Sequence, residues 1–319
     1  MEKSQKQVTR PSNSRREYSK EIPIDLLIEI FSRLSTGDIA RCRCVSKLWS
    51  SVPRLRDFTE LFLKISSARP RILFTFLHNG KRMFYSISQH LHSDPSSSPL
   101  VPYYHMSFSK GMVPSYDNEI HAPVRGFLCS KASVYNPSTG ECAYPYLELL
   151  VRGLREPILG MILSTNYSRC CACPRSEKFK FLVVENIIWC SSLISCKGKL
   201  GILWPVPSGD QSHEVTRSFV LRVLEDANKL IWSRTVYTLS FNWKKLVNKS
   251  LYIVGMTSGG EIVLSTRHLN YPFYIVYYNP VNNTAAKNEI QFGNIANKKA
   301  ENSRIYTFID HVENVEHMD

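Results

Sequence analysis

The sequence predicts an α+β chain of two unlike parts, a small N-terminal unit of three short helices and a long all-β body. Three observations carry this. Apolar residues recur at helical spacing between about residues 22 and 52. After residue 70 the texture changes to short β-prone runs separated by turn signals. Aromatic residues are plentiful, with 16 Tyr, 15 Phe and 5 Trp, and such side chains suit pleated surfaces. With 319 residues and 43% hydrophobic content, the chain can bury a real core.

Residues 1–19 hold many basic and few apolar residues, and read as a disordered leader. In the next segment Ile24, Leu27, Ile28, Phe31 and Leu34 repeat at helical spacing, while Leu26 and Ile30 fall on another face. A helix apolar nearly all round is buried on more than one side. Pro23 suits its start, and Asp25 favours the positive end of its dipole. Ser35-Thr36-Gly37-Asp38 predicts a capping box opening a second helix, with Ile39, Cys42 and Val45 turned inward. Ser46 caps a third turn carrying Lys47 and Trp49. A unit this small needs a partner to be stable. Residues 53–70 read as a helical connector built on Phe58–Lys64.

Ten β-prone runs follow: 72–77, 83–87, 179–184, 200–204, 218–224, 230–239, 251–255, 261–266, 273–278 and 304–309. His78-Asn79-Gly80, Pro137-Ser138-Thr139-Gly140, Ser258-Gly259-Gly260 and Asn279-Pro280 mark turns. Residues 92–99 read as a loop. Tyr135-Asn136-Pro137 recurs as Tyr278-Asn279-Pro280, an offset of 143 residues. At about 40–50 residues per four-stranded blade this is about three blades, which points to a propeller-like array.

The formal charge of +13 fits an acidic partner, an anionic surface, nucleic acid or plain solubility. No RNP-type motif, zinc-finger spacing or dense Lys/Arg block accompanies it, which disfavours nucleic acid. No phosphate loop, Gly-x-Ser-x-Gly elbow or zincin His pair suggests an enzyme, and no cofactor is expected. Cys170, Cys171, Cys173, Cys190 and Cys196 tempt a zinc reading, but their spacings do not fit paired knuckles, so no metal is expected. With no apolar leader and no membrane-length apolar run, the expectation is an intracellular protein with reduced thiols, in the nucleus or cytoplasm and off the membrane.

Residues 22–34, IPIDLLIEIFSRL, followed by 38–49, DIARCRCVSKLW, closely resemble an F-box. The remainder is similar to the F-box-associated domain (type 3) of the large plant F-box family. The resemblance rests on Arg69–Phe76, Pro123–Leu128, Tyr135–Gly140, Lys197–Gly201, Val223–Ala227 and Tyr306–Val312. It implies a three-helix F-box and connector over 20–64 and a kelch-like, propeller-like β domain over 65–319. After Gly160 the chain departs from the family pattern and runs almost directly into Cys173-Pro174, so the propeller is read as complete or short by about one blade. The defect is expected near 155–178.

The resemblance further implies a non-catalytic specificity subunit of an SCF-type ubiquitin ligase. Its F-box docks on a Skp-family adaptor, and through it on cullin and RING subunits, while the β domain holds an unknown protein target. The expected adaptor contacts are Pro23, Leu26, Ile30, Leu34, Ile39, Cys44, Val45, Lys47 and Trp49. Leu27, Phe31 and Cys42 are assigned to the unit's own core. Two competing readings are a propeller scaffold unrelated to ubiquitin and a degenerate, non-functional family member.

Overall fold

In the computed structural model the described residues are 22–90, 98–109, 120–130, 133–143, 169–171, 181–183, 191–207, 216–238, 251–296 and 303–318. Four helices come first: α1 (Ile24–Ser32), α2 (Thr36–Cys42), α3 (Lys47–Ser51) and α4 (Arg56–Ser67). Ser35 caps α2, its Oγ accepting from the Asp38 N–H at 3.2 Å and donating to Asp38 Oδ2 at 2.7 Å. Ser46 caps α3 in the same way, accepting from the Trp49 N–H at 3.2 Å. The connector forms α4 and packs into the same core as α1, where Leu27, Phe31, Ile39, Val52, Phe58 and Phe62 are buried.

The β region contains β1 (Arg71–His78), β2 (Lys81–Ser88), β3 (Tyr103–Ser109), β4 (Leu128–Cys129), β5 (Val134–Asn136) and β6 (Glu141–Ala143). It continues through β7 (Arg169–Cys171), β8 (Phe181–Val183), β9 (Ser192–Cys196), β10 (Lys199–Pro207), β11 (Thr216–Asp226) and β12 (Ile231–Thr238). Last come β13 (Leu251–Met256), β14 (Ile262–Thr266), β15 (Phe273–Asn279), β16 (Thr284–Ile290) and β17 (Ile305–His311). They form antiparallel sheets ordered β17-β1-β2-β3, β4-β5-β6, β9-β10-β11-β12 and β13-β14-β15-β16, plus the ladder β7-β8. Among the described residues the sheets are arranged as a four-bladed, propeller-like fold, and the propeller-like form is the one the strand texture predicts. Each of the ten β-prone runs of the sequence overlaps one of these strands.

The last strand closes the structure. β17 pairs with β1, so a strand from the chain's end completes the first sheet. In position it matches β9 and β13, the first strands of their sheets, and β13 packs on both β9 and β17. Ser192 Oγ donates to the Ile253 carbonyl at 2.9 Å across one of these seams.

Alternation of side chains explains how each sheet is held. Phe74 and Phe76 face the sheet of β13–β16, where they meet Phe273, Ile275 and Phe292. Leu73 and Phe84 point the other way, onto Leu128 and Tyr135 of the β4–β6 sheet. Strand β1 is therefore buried on both faces, which its nearly continuous apolar run Ile72–Leu77 anticipates. Phe219, Leu221 and Leu203 pack in turn against Leu264, Val276 and Tyr278.

The Tyr-Asn-Pro echo has a structural meaning. Asn136 Oδ1 accepts from the Ser138 and Thr139 N–H groups, and Asn279 Oδ1 from those of Val281 and Asn282. Both motifs thus end a strand in an Asx turn. Tyr135 and Tyr278 are buried, and each faces the sheet that precedes its own in the chain. Two hairpins 143 residues apart occupy equivalent places in a repeated unit.

Residues 1–21 lie outside the described residues, as does most of the segment 155–178 on which the expected defect falls. Of the cysteines weighed for zinc, Cys170 and Cys171 lie on β7 and Cys196 ends β9, while Cys173 and Cys190 are outside the described residues. No described helix is long and apolar enough to cross a membrane.

Candidate functional site

The site is built on α1 and the turn after α2. Helix α1 has apolar residues on two sides. Leu27 and Phe31 are fully buried, and the Phe31 ring meets Trp49 at 5.4 Å and Phe58 at 6.5 Å, both edge-on. On its outer side Leu26 is 55% exposed and Ile30 48%, residues four apart and so one above the other. Beyond α2, Val45 is 63% exposed, and Leu48 at the start of α3 is exposed too. Ile22 and Ile24 extend the apolar surface at the N-terminal end of α1.

Apolar side chains at this density on a unit of under fifty residues are informative, because scattered single exposures are ordinary and clusters are not. The neighbouring charges are not a source of stability: the exposed pairs Arg33–Glu29, Arg41–Asp38 and Arg56–Glu60 lie on helix surfaces, where such pairs are worth about 0.5 kcal/mol or less.

The nine residues expected to touch the adaptor divide into three groups. Pro23, Leu26, Ile30, Cys44, Val45 and Lys47 are exposed. Leu34 and Trp49 are half-buried, packed on the helical core with an edge outward. Ile39 is the exception: it is buried within that core, because the cap at Ser35 turns this side of α2 onto α1. Val45 departs in the opposite sense: expected to turn inward with Ile39 and Cys42, it is exposed, because it lies in the turn after α2 ends at Cys42; Ile24, in the first turn of α1, is exposed too. Ile22 and Leu48 were missed, though Leu48 beside Trp49 was a visible signal.

A second feature of the site was not legible at all. After β17 the chain runs back to the helices. Val315 is buried in their core, the Glu313 N–H donates to Ser66 Oγ at 2.8 Å, and Thr36 Oγ1 donates to Glu313 Oε1 at 3.4 Å. The same segment grips the β4–β6 sheet. Asn314 Nδ2 donates to the Arg125 carbonyl at 2.8 Å, the Asn314 N–H to Ser138 Oγ at 3.0 Å, and Asn136 Nδ2 to the Glu316 carbonyl at 2.9 Å. Glu141 holds its end, accepting from the Met318 N–H at 2.9 Å and pairing with His317. Burial works against ionisation of Glu141, but the bonds from His317 and Met318 prevail and hold the carboxyl below its usual range. The helical unit is thus pinned to the propeller, and the core too small to be self-sufficient is completed by the chain's own tail.

Fold and surface together define a small helical unit with an exposed apolar face, held on a β-propeller. Residues 20–61 match the F-box domain model, and residues 171–312 match the F-box associated beta propeller domain model. The chain is 73% identical to the E3 ubiquitin-protein ligase SGIP1 of Arabidopsis thaliana, over 100% of both chains. It is 37% identical to the F-box protein At3g47030 of the same plant, over 97% of this chain and 93% of that one. With the F-box protein DOR the figures are 31%, 94% and 95%. The protein belongs to the plant F-box proteins that carry an F-box-associated propeller domain. The alignment with SGIP1 spans 348 positions against 319 residues here, so that relative carries residues with no counterpart in this chain.

Proposed function

We propose that this protein is the target-binding, non-catalytic subunit of an SCF-type ubiquitin ligase, acting in the nucleus or cytoplasm. The F-box docks on a Skp-family adaptor, which joins it to cullin and RING subunits, and the propeller holds the target. The observation that carries this reading is the apolar surface of Leu26, Ile30 and Val45 on an F-box already folded and pinned from behind. The work done is proximity: a target bound at fixed distance from the transfer site reacts at a high effective concentration. The pinning tail supports this, since a rigid join holds that distance better than a free linker. It also modifies the expectation that residues 20–64 act independently of the rest, because Val315 is part of their core.

A cellular experiment tests the reading. The full chain and a Leu26→Asp/Ile30→Asp variant are each fused to a proximity-labelling enzyme. Targets held but not ubiquitinated should accumulate around the variant. Identical labelled sets, with identical abundance and ubiquitin content, would refute the reading.

A further inference from the structure

The propeller end farthest from the F-box carries a pair of arginines that the function described so far does not use. The F-box enters the propeller at Arg71 and the tail leaves it at His311, residues paired across the β1–β17 seam. The opposite end of that seam is Ile305 beside Phe76. There the Ile305 N–H donates to the Arg267 carbonyl at 3.0 Å, the Leu269 N–H donates to the Ser303 carbonyl at 2.9 Å, and His268 forms a bridge with Arg304. Backbone pairing thus sets Arg267 and Arg304 side by side, both exposed. Their guanidinium groups lie over tyrosine rings, Arg267 at 5.4 Å from Tyr252 and Arg304 at 4.6 Å from Tyr306. Both also reach the Tyr252 phenol: burial raises its pKa, while its bond with Thr307 and the two arginines pull the other way.

Neither arginine takes part in an ion pair among the described residues. Among the described residues, Asp310 near the end of β17, Glu313 beyond it, Glu141 holding the tail and Glu261 before β14 stand at the other end, while Glu289 lies at this end near the close of β16, two strands away from β14. Along β17 the two ends are about 20 Å apart at about 3.3 Å per residue. Two like charges are therefore fixed together at the arginine end. An arriving carboxylate relieves their repulsion and can take paired N–H donors from a guanidinium whose plane is already set by the ring beneath it.

We propose that this end is the docking surface for a carboxylate-rich segment of the target protein, an inference that rests on the receptor reading above. A protein segment is favoured over nucleic acid because the tyrosine faces are covered by guanidinium groups and are not free to stack bases.

The test uses the full chain and fluorescence anisotropy with a short labelled peptide of alternating Glu and Ser. Arg267→Gln/Arg304→Gln should weaken binding by about tenfold or more. Arg222→Gln/Arg234→Gln is the matched control, since that pair faces across β11 and β12 on the side of the propeller and Arg222 also lies over a ring, that of Trp232. It should change binding by no more than about twofold. Unchanged binding in the first variant, a larger loss in the control, or tighter binding of a short oligouridine through Arg267 and Arg304 would each overturn the proposal. Adaptor capture is measured on the same preparations. Capture intact with peptide binding unaffected by the variant sinks this inference alone; failure of capture by the wild-type chain sinks the receptor reading.

Discussion

Two histidines sit where the propeller closes, and acid should unfasten it through them. His311, opposite Arg71 on the β17–β1 seam, is fully buried, and among the described residues neither ring nitrogen has a hydrogen-bond partner. His105 on β3 shares a 2.7 Å hydrogen bond with Ser86 Oγ, which also accepts from Arg71 Nε at 2.7 Å. Burial, then Arg71, lowers the His105 pKa from 6.5 to about 3. Burial, then His105 and Arg71, does the same to His311. The unfolded chain takes up these protons near pH 6.5 and the folded one only near pH 3. Stability from the two groups is therefore complete above pH 6.5 and falls as the pH drops through that window. Where both are protonated only when unfolded, the slope is about 3 kcal/mol per pH unit, and the accumulated loss at pH 5 is about 4 kcal/mol. Against a domain stability of about 5–15 kcal/mol this is a large fraction. Urea titrations followed by tryptophan fluorescence at pH 7.5, 6 and 5 read it directly, before carboxylates contribute much. His311→Leu, which removes one of the two groups, should roughly halve the loss. Unfolding free energies at pH 7.5 and 5 within about 1 kcal/mol of each other, or a variant that falls as steeply as the wild type, would mean that these two histidines do not govern the acid sensitivity.

Other outcomes follow from the tail. Val315→Ala removes two buried methyl groups from the F-box core and should cost about 2 kcal/mol, seen as earlier loss of amide protection in α1 and α4 with β9–β12 unchanged. Gly126 has a φ of +89°, and a Cβ there would fall 2.5 Å from the Val312 carbonyl oxygen and 2.7 Å from Asn314 Cβ. Gly126→Ala should therefore displace the tail and lower the melting temperature clearly more than Gly80→Ala, whose φ is +71° but whose Cβ would meet nothing. That control should cost only about 1 kcal/mol of backbone strain. Equal shifts in the two variants would mean that the tail does not bear on the body.

Much of this molecule is legible in the sequence, for local reasons. The caps at Ser35 and Ser46, the turn at Asn79-Gly80 and the ten strands come from short-range chemistry and read directly. Strands fail to read where their residues argue otherwise. Tyr103–Ser109 follows a Ser/Pro-rich loop and is rich in serine, while Thr284–Ile290 is alanine-rich and charged and is held by pairing with β15. Helical periodicity separates Leu26 and Ile30 from Leu27 and Phe31, as observed, but it cannot show that Ile24 lies past the covered part of α1. Val315 is beyond such reasoning: it enters a core made of residues nearly 300 positions earlier, and nothing near it in the chain marks it as a helix partner. The arginine pair is equally opaque, because Arg267 and Arg304 become neighbours only through β14 and β17.

On the proposed function, the outer face of α1 and the turn at Val45 hold the adaptor. The most direct measurement is a calorimetric titration of a purified Skp-family adaptor into the full chain and into the Leu26→Asp/Ile30→Asp variant, with folding of both checked by melting. Each substitution would bury an unpaired charge in the interface while leaving a free surface residue in the unbound protein. The wild type should bind stoichiometrically, and the variant should show no measurable binding at equal stability. Wild-type affinity in the variant would contradict it.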